Sequence, residues 1–237
     1  MQTAQPADLI PRGAWWTIFK DPMIDGLMTQ LKNQNPSIEL AAAKYRQANA
    51  AFSQARAARL PILTGNVGAT RGNSSVISNP VSNFSVGTAA SWEIDLWGKI
   101  SRTLEGSAAT VQATAADLAA TELSLQAQLV SNYDSLRFTD GQAALLSETV
   151  AAYERSLKLT QNRYLGGVVS KIDVVQAETQ WRSTRAQLID LGIQRATLEH
   201  SIAILLGQAP ATYSLAKSQA SLPEIYLPAL SGGLPSQ

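Results

Sequence analysis

Apolar and polar positions along this chain fall into two periods. From Lys99 onward apolar residues recur at helical spacing. Leu104, Val111, Leu118 and Leu125 stand seven apart, and Ala108, Ala115, Glu122 and Leu129 interleave four residues after each. Between Lys99 and Tyr164 there is no proline, and glycine occurs only at Gly106 and Gly141. At 1.5 Å per residue, an uninterrupted helix over that stretch would reach roughly 100 Å. A second seam follows, through Val174, Ala177, Trp181, Thr184, Leu188, Leu191, Arg195, Leu198, Ile202 and Leu205. Its steps alternate three and four, the coiled-coil spacing. Several seam positions are Ala, Thr, Glu or Arg, so the pattern predicts helices with neighbours on two sides or one face toward water. Gly166-Gly167 separates the two seams and supplies a left-handed cap for the outgoing helix. Ser170 is placed to cap the returning helix, with Asp173 as the third residue of a capping-box variant. Gly207 followed by Pro210 ends it.

The second period is two. Leu63, Gly65, Val67 and Ala69 alternate with Thr64, Asn66, Gly68 and Thr70. After a Gly/Ser/Asn/Pro-rich stretch from Arg71 to Asn83, Phe84, Val86, Thr88, Ala90, Trp92, Ile94 and Leu96 fall on one face. Ser85, Gly87, Ala89, Ser91, Glu93 and Asp95 fall on the other. Alternation of this kind predicts strands. Each is about 10–13 residues, enough to span a bilayer when tilted by about 45°. The pattern fits a lipid-out, lumen-in barrel strand, and it fits equally a soluble hairpin with one buried face. Two strands cannot close a barrel, and open edges are not tolerated in hydrocarbon. Membrane strands would therefore need others from elsewhere to complete the sheet.

Ahead of the strands, residues 1–14 read as an extended arm. Trp15-Trp16-Thr17-Ile18-Phe19 concentrates aromatic surface, more in keeping with core anchors than with a ligand site. Asp21-Pro22 opens a short helix to about Lys32. Asn35-Pro36 opens another that runs to about Arg59 and is stopped by Pro61. Residues 211–237 read as an extended Pro/Leu/Ser-rich tail.

Composition narrows the function classes. Charged residues are 16% of the chain and net charge is +1, which gives no electrostatic case for nucleic acid. There is no cysteine, so disulfide, thiolate-metal and thiol chemistry are excluded. His200 is the one histidine and has no ligand partner at metal spacing. Asp25, Glu39, Asp117, Glu122 and Glu148 are dispersed along helices as solvated faces. Leu165-Gly166-Gly167-Val168 lacks the lysine and spacing of a phosphate cradle. No catalytic, cofactor or metal site is expected, and the chain reads as a non-enzyme. No apolar run reaches the length of a transmembrane helix. Met1 to Ile10 lacks the basic and apolar regions of a signal peptide, so either the protein is cytoplasmic or a leader preceded this start.

Taken together, the stretches Trp15-Trp16-x-x-Phe19-x-Asp21-Pro22, Asn35-Pro36, Ala55-Arg56-Ala57 leading to Leu60-Pro61, and Ser91-Trp92-Glu93-Ile94-Asp95-Leu96-Trp97-Gly98-Lys99 carry a resemblance. It continues through Arg163-Tyr164-x-x-Gly167, Asp173-Val174-x-Gln176-Ala177, Leu205-Leu206-Gly207-Gln208-x-Pro210 and Gly233-Leu234-Pro235-Ser236. In their order these resemble the TolC-like outer-membrane efflux proteins, in the branch that serves resistance–nodulation–division drug pumps. The resemblance implies a mainly α fold with a β-hairpin. Its parts would be a long helical hairpin of a periplasmic tunnel and two amphipathic strands of an oligomeric transmembrane barrel. It implies a passive exit duct for drugs or other small molecules, in the outer membrane with its helices in the periplasm. The implied partners are other copies in a trimer, a periplasmic adaptor, an inner-membrane pump and outer-membrane lipid.

The family carries two tandem repeats per subunit, whereas this chain holds one, and the lipid-attachment cysteine common in the branch is missing. The expectation is an N-terminal half of a longer subunit, or a one-repeat protein of which six copies replace three. Four regions follow: 1–34 as arm and equatorial helix, 35–60 with 98–209 as the tunnel repeat, 61–97 as barrel strands with an external loop, and 210–237 as tail. The tip, comprising Arg163, Tyr164, Gly166, Gly167, Val168, Ser170, Lys171 and Asp173, is the expected adaptor contact. Leu63, Val67, Phe84, Val86, Trp92 and Ile94 are expected to face lipid. Thr64, Asn66, Thr70, Ser85 and Ser91 are expected to face the lumen. The alternatives are a soluble coiled-coil periplasmic adaptor and a helical-bundle enzyme or ligand binder.

Overall fold

The computed structural model describes residues 13–74 and 77–217, without the side chains of residues 73–81. Most of the arm expected over 1–14, the tail beyond Lys217 and the Gly233-Leu234-Pro235-Ser236 motif lie outside the described residues. A 3₁₀ turn at Trp15–Phe19 precedes α1 (Pro22–Gln34), α2 (Pro36–Ala57), β1 (Ile62–Ser74), β2 (Ile77–Ser91), α3 (Lys99–Leu165) and α4 (Lys171–Leu205). The chain divides into two compact units, one of Met1–Pro36 with Glu122–Gln237 and the other of Ser37–Thr121.

The first unit is built on α1, the later part of α3, and α4. Asp21 starts α1, its carboxylate accepting the Met23 N–H at 2.8 Å with Pro22 at the first helical position. The other carboxylate oxygen accepts the Tyr133 hydroxyl at 2.6 Å, which ties that start to α3. Ile24, Leu27, Met28 and Leu31 are buried on one stripe of α1, and Leu129 and Leu136 of α3, Ile202 of α4 and Leu206 just after α4 are buried too. The Trp16 indole is buried and donates to Asp25, and Trp15 donates to Gln126. Of the run, Trp16 is buried, while Trp15, Ile18 and Phe19 are half-buried and Thr17 is exposed.

Two distant motifs meet in this unit. The Asn35 side chain is buried and donates to the Leu205 carbonyl at 2.7 Å. It satisfies one of the acceptors that a helix leaves open at its C-terminus. Gly207 closes α4 with φ of +68°, and a β-carbon there would lie 2.3 Å from the Gln34 carbonyl oxygen. Glycine is required at 207 twice over, by conformation and by space. Along α4, every residue of the second seam is buried or half-buried, Arg195 included.

The second unit holds α2, the β-hairpin and the first part of α3. β1 and β2 form a two-stranded antiparallel sheet. The register pairs Leu63 with Ala90, Val67 with Val86 and Ala69 with Phe84, and an irregularity interrupts it at Asn73/Ser74. Both strand ends differ from expectation. The stretch 71–83, read as a loop, continues the ladder from Arg71↔Ser82 to Ser74↔Ile77. Gly, Asn and Ser are weak strand formers alone, but inter-strand hydrogen bonds override that preference in a hairpin. At the other end β2 stops at Ser91, so Trp92 and Ile94 lie beyond the strand rather than on it. The reason is local, since the chain has to turn there into α3. On α3 the heptad residues Leu104, Val111 and Leu118 are half-buried in this unit, and Ala115 is exposed. Among the described residues, no helix is long and apolar enough to cross a membrane.

Candidate functional site

Three places in the chain combine exposure with local order. The first is the turn between α3 and α4. Gly167 adopts φ of +75°, its N–H bonding the Tyr164 carbonyl and the Val168 N–H bonding the Arg163 carbonyl, each at 2.9 Å. That pair of bonds is a Schellman closure. Three residues on, the Asp173 carboxylate accepts both the Ser170 N–H and the Ser170 hydroxyl at 2.8 Å, and Ser170 receives the Asp173 N–H in return. The Ser170 hydroxyl holds the Asp173 carboxyl below its usual range, helped by the Ser170 backbone N–H and by Arg163. All eight residues expected at the tip are exposed. They are joined by apolar neighbours that the sequence reading did not single out: Leu165, Ile172 and Val175 are exposed along with Val168. The helix seam predicts which residues are covered; these four lie off it, and that was the available signal. The tip is therefore an ordered, partly apolar surface.

The second is the strand face. Residues opposite each other in an antiparallel pair project to the same side. The register therefore groups Leu63, Val67, Phe84 and Val86 on one face and Thr64, Asn66, Thr70, Ser85 and Ser91 on the other, as the alternation predicts. The apolar face is bare: Leu63 is 79% exposed, Val67 84%, Phe84 80% and Val86 80%. On the polar face side chains lie over glycines. A β-carbon at Gly87 would sit 2.7 Å from the Asn66 amide oxygen, and one at Gly68 would sit 2.8 Å from the Ser85 hydroxyl.

The third is the turn from β2 into α3. Asp95 accepts the Ile100 N–H at 3.1 Å, the Ser101 N–H at 2.8 Å and the Ser101 hydroxyl at 2.7 Å. The Ser101 hydroxyl is the leading cause of a lowered Asp95 pKa. Gly98, at φ of +76°, lets the backbone reverse between Asp95 and the helix. The Trp92 indole donates to the Arg59 carbonyl at 3.2 Å, and the Arg59 guanidinium donates to Ser101 at 3.3 Å. The most distinctive stretch of the sequence, residues 91–99, is thus the joint that holds both strand ends to the helix start. Periodicity places Asp95 on a strand face, and the signal of its actual role is a carboxylate shortly before a helix start.

A buried ionic cluster also escaped the sequence reading. Arg195 donates to Asp140 at 2.7 Å, to Glu199 at 2.9 Å and to the Leu215 carbonyl at 2.7 Å. The Leu215 N–H in turn donates to Glu199, and Arg137 donates to the Ala216 carbonyl at 2.9 Å. The cluster straps residues 215–216 onto the helices. The available signal was an arginine in a seam position with Glu199 four residues on.

A family model described as outer membrane efflux protein matches residues 27–208. Nodulation protein T of Rhizobium leguminosarum bv. trifolii is 29% identical over 82% of this chain and 42% of its own length. The pyoverdine export outer membrane protein OpmQ of Pseudomonas aeruginosa is 26% identical over 94% of this chain and 49% of its own. The solved outer-membrane channel OprN superposes with a TM-score of 0.78 at 29% identity, over 95% of this chain and 54% of that one. The chain spans about half the length of the relatives it matches.

Proposed function

We propose, for a chain that belongs to the outer membrane efflux protein family, that it forms part of the wall of a passive exit duct. In this reading β1 and β2 contribute to a barrel in the outer membrane and the α3–α4 hairpin contributes to a periplasmic tunnel. The observation that carries the reading is the strand face: large apolar side chains are bare on one side and small polar ones lie on the other. A soluble hairpin would cover that apolar face, whereas a lipid-facing strand exposes it. A soluble adaptor finds no counterpart among the relatives described, two of which are named for the outer membrane. Strands of 13 and 15 residues exceed the ~9–11 that a tilted strand needs to cross a bilayer.

The duct would carry small molecules without chemistry of its own and would assemble from several copies. Its tip would dock on a periplasmic adaptor that links it to an inner-membrane pump. Leu63, Val67, Phe84 and Val86 would face lipid; Thr64, Asn66, Thr70, Ser85 and Ser91 would face the lumen. Trp92 and Ile94 would lie at the membrane boundary rather than within the strand. The deciding experiment is outer-membrane insertion of Val67→Lys and Val86→Lys beside Asn66→Lys. A lipid-facing lysine costs about 2–4 kcal/mol at the bilayer midplane. Insertion should therefore fail for the first two and survive for the third. Equal insertion of all three would overturn the face assignment.

A further inference from the structure

The joint between β-hairpin and helices carries more than geometry. Leu60, Ile62 and Trp92 line a groove of about 590 Å³ between the end of α2, the strand ends and the first turn of α3, together with Ala55, Ala58, Glu93 and Lys99. Its apolar wall is exposed, and Ile94, Leu96 and Trp97 beside it are exposed as well. Of charged residues, Glu93 and Lys99 line the groove itself. Arg56, Arg59, Lys99 and Arg102 lie within a few residues of it in sequence, against Glu93, Asp95 and Glu105.

The carboxylates are not equally free to oppose an incoming anion. Asp95 is committed to the start of α3. Glu93 meets Lys99 at 3.4 Å with both side chains largely in solvent, and Glu105 pairs with Arg102, equally exposed. Such exposed pairs are worth little and are readily exchanged for a better partner. The Arg59 guanidinium donates to the Ser101 hydroxyl, which itself donates to Asp95, so Arg59 reaches Asp95 only across that hydroxyl. The result is an apolar slot with exchangeable cations at its mouth, at the end of the strands that joins the helices.

We propose that this groove seats an acidic glycerophospholipid of the inner leaflet of the outer membrane, its phosphate on Arg59 and Lys99 and its acyl chain along Leu60, Ile62 and Trp92. The proposal rests on the barrel reading above, which puts this end of the strands at the membrane–periplasm boundary. Indole rings belong at that depth, where an amphipathic ring meets both headgroup and chain. Charge complementarity selects the occupant, since a basic rim on an apolar slot fits an anionic amphiphile better than a zwitterionic one. The lipid would cover apolar surface that the hairpin leaves bare and would fix the depth of the strands.

The test uses the full chain reconstituted into vesicles of phosphatidylethanolamine with rising phosphatidylglycerol. The acyl chains of one lipid at a time are brominated and tryptophan quenching is recorded. A Trp92→Phe/Trp97→Phe variant run in parallel isolates the signal of this joint from Trp15, Trp16 and Trp181. Brominated phosphatidylglycerol should quench at lower mole fraction than the brominated zwitterionic lipid. Arg59→Gln with Lys99→Gln should raise the half-quenching fraction by about thirtyfold, since each of the two basic residues near a membrane surface contributes roughly 1 kcal/mol. Arg59→Lys with Lys99→Arg should retain the preference. Equal quenching by both lipids, unchanged by the glutamine pair, would leave only a boundary tryptophan and overturn the site. Absence of quenching while detergent-resistant oligomers still form would overturn the site and leave the duct standing. Failure of the chain to associate with either vesicle would sink both.

Discussion

At the scale of single residues, positive-φ glycines separate conformation from space. Gly167 and Gly207 both adopt left-handed backbone, but a β-carbon at Gly167 meets nothing within 4 Å while one at Gly207 collides with Gln34. Gly167→Ala should therefore cost about 1 kcal/mol of stability, the steric penalty alone. Gly207→Ala should cost distinctly more, about 2–4 kcal/mol, because the end of α1 has to move as well. Denaturant unfolding of the two variants side by side checks this, and equal losses would mean that α1 and α4 are not held together as described. Tyr133 makes a second case. Burial, reinforced by its hydrogen bond to Asp21, pushes its hydroxyl from 10.0 up to about 12. The folded chain then binds the extra proton between those values, and the unfolded chain does not. The associated stability is whole below pH 10 and is lost as pH rises through about 12. In Tyr133→Phe that part of the alkaline decline should vanish. A wild-type and variant stability difference that stays flat from pH 9 to 12 would contradict the burial of this group.

Between elements, the joints explain what periodicity alone misses. The helix seams were legible because apolar spacing reports burial directly, and the caps at Gly167 and Ser170 because their chemistry is local. The strand faces were legible for the same reason, since the period of two survives even where the strand limits do not. The limits failed at both ends for physical reasons. Hydrogen bonding across the hairpin extends the ladder through residues such as Gly72 and Asn73 that lack strand preference. The demand to start α3 ends β2 at Ser91 despite the continuing alternation to Leu96. Arg195, Asp140 and Glu199 were illegible as a site because their partner is backbone at Leu215, distant from Asp140 in sequence and brought close only by folding. Their side chains are mostly withdrawn from water, with Arg195 at 11% and Asp140 at 3%. Breaking one partner of a buried pair leaves the other charge uncompensated, at about 3–5 kcal/mol. Arg195→Ala should lose that much stability, and Arg195→Met should lose less because it keeps the apolar stem. Amide exchange at Leu215 should accelerate in both; unchanged protection there would show that the cluster does not hold the strap.

At the scale of the whole molecule, the decisive feature is unpaired surface. Among the described residues the sheet has two strands, so each presents one edge whose N–H and C=O groups no described strand pairs. In water such edges template association, and in hydrocarbon each unsatisfied group costs several kcal/mol. The bare apolar strand face and the exposed apolar positions Ile189 and Ile193 on α4 point the same way. Arg71 is the one charged residue of the two strands, and over 62–70 and 82–91 every side chain is neutral, Leu63, Val67, Phe84, Val86, Thr64, Asn66 and Ser85 among them. The 25.3 kDa chain should therefore be unstable as a monomer without detergent. In detergent it should run by light scattering at several times that mass. Asn66→Pro removes a backbone donor from β1 and should lower the oligomer fraction without altering the tip or α4 cap, which belong to the other unit. Conductance across a planar bilayer should need the further strands that close the edges, whether these come from more copies or from a separately supplied stretch. A monodisperse monomer in plain buffer, with its apolar strand face inaccessible to a solvatochromic probe, would contradict this, because the face would then be covered by the chain itself.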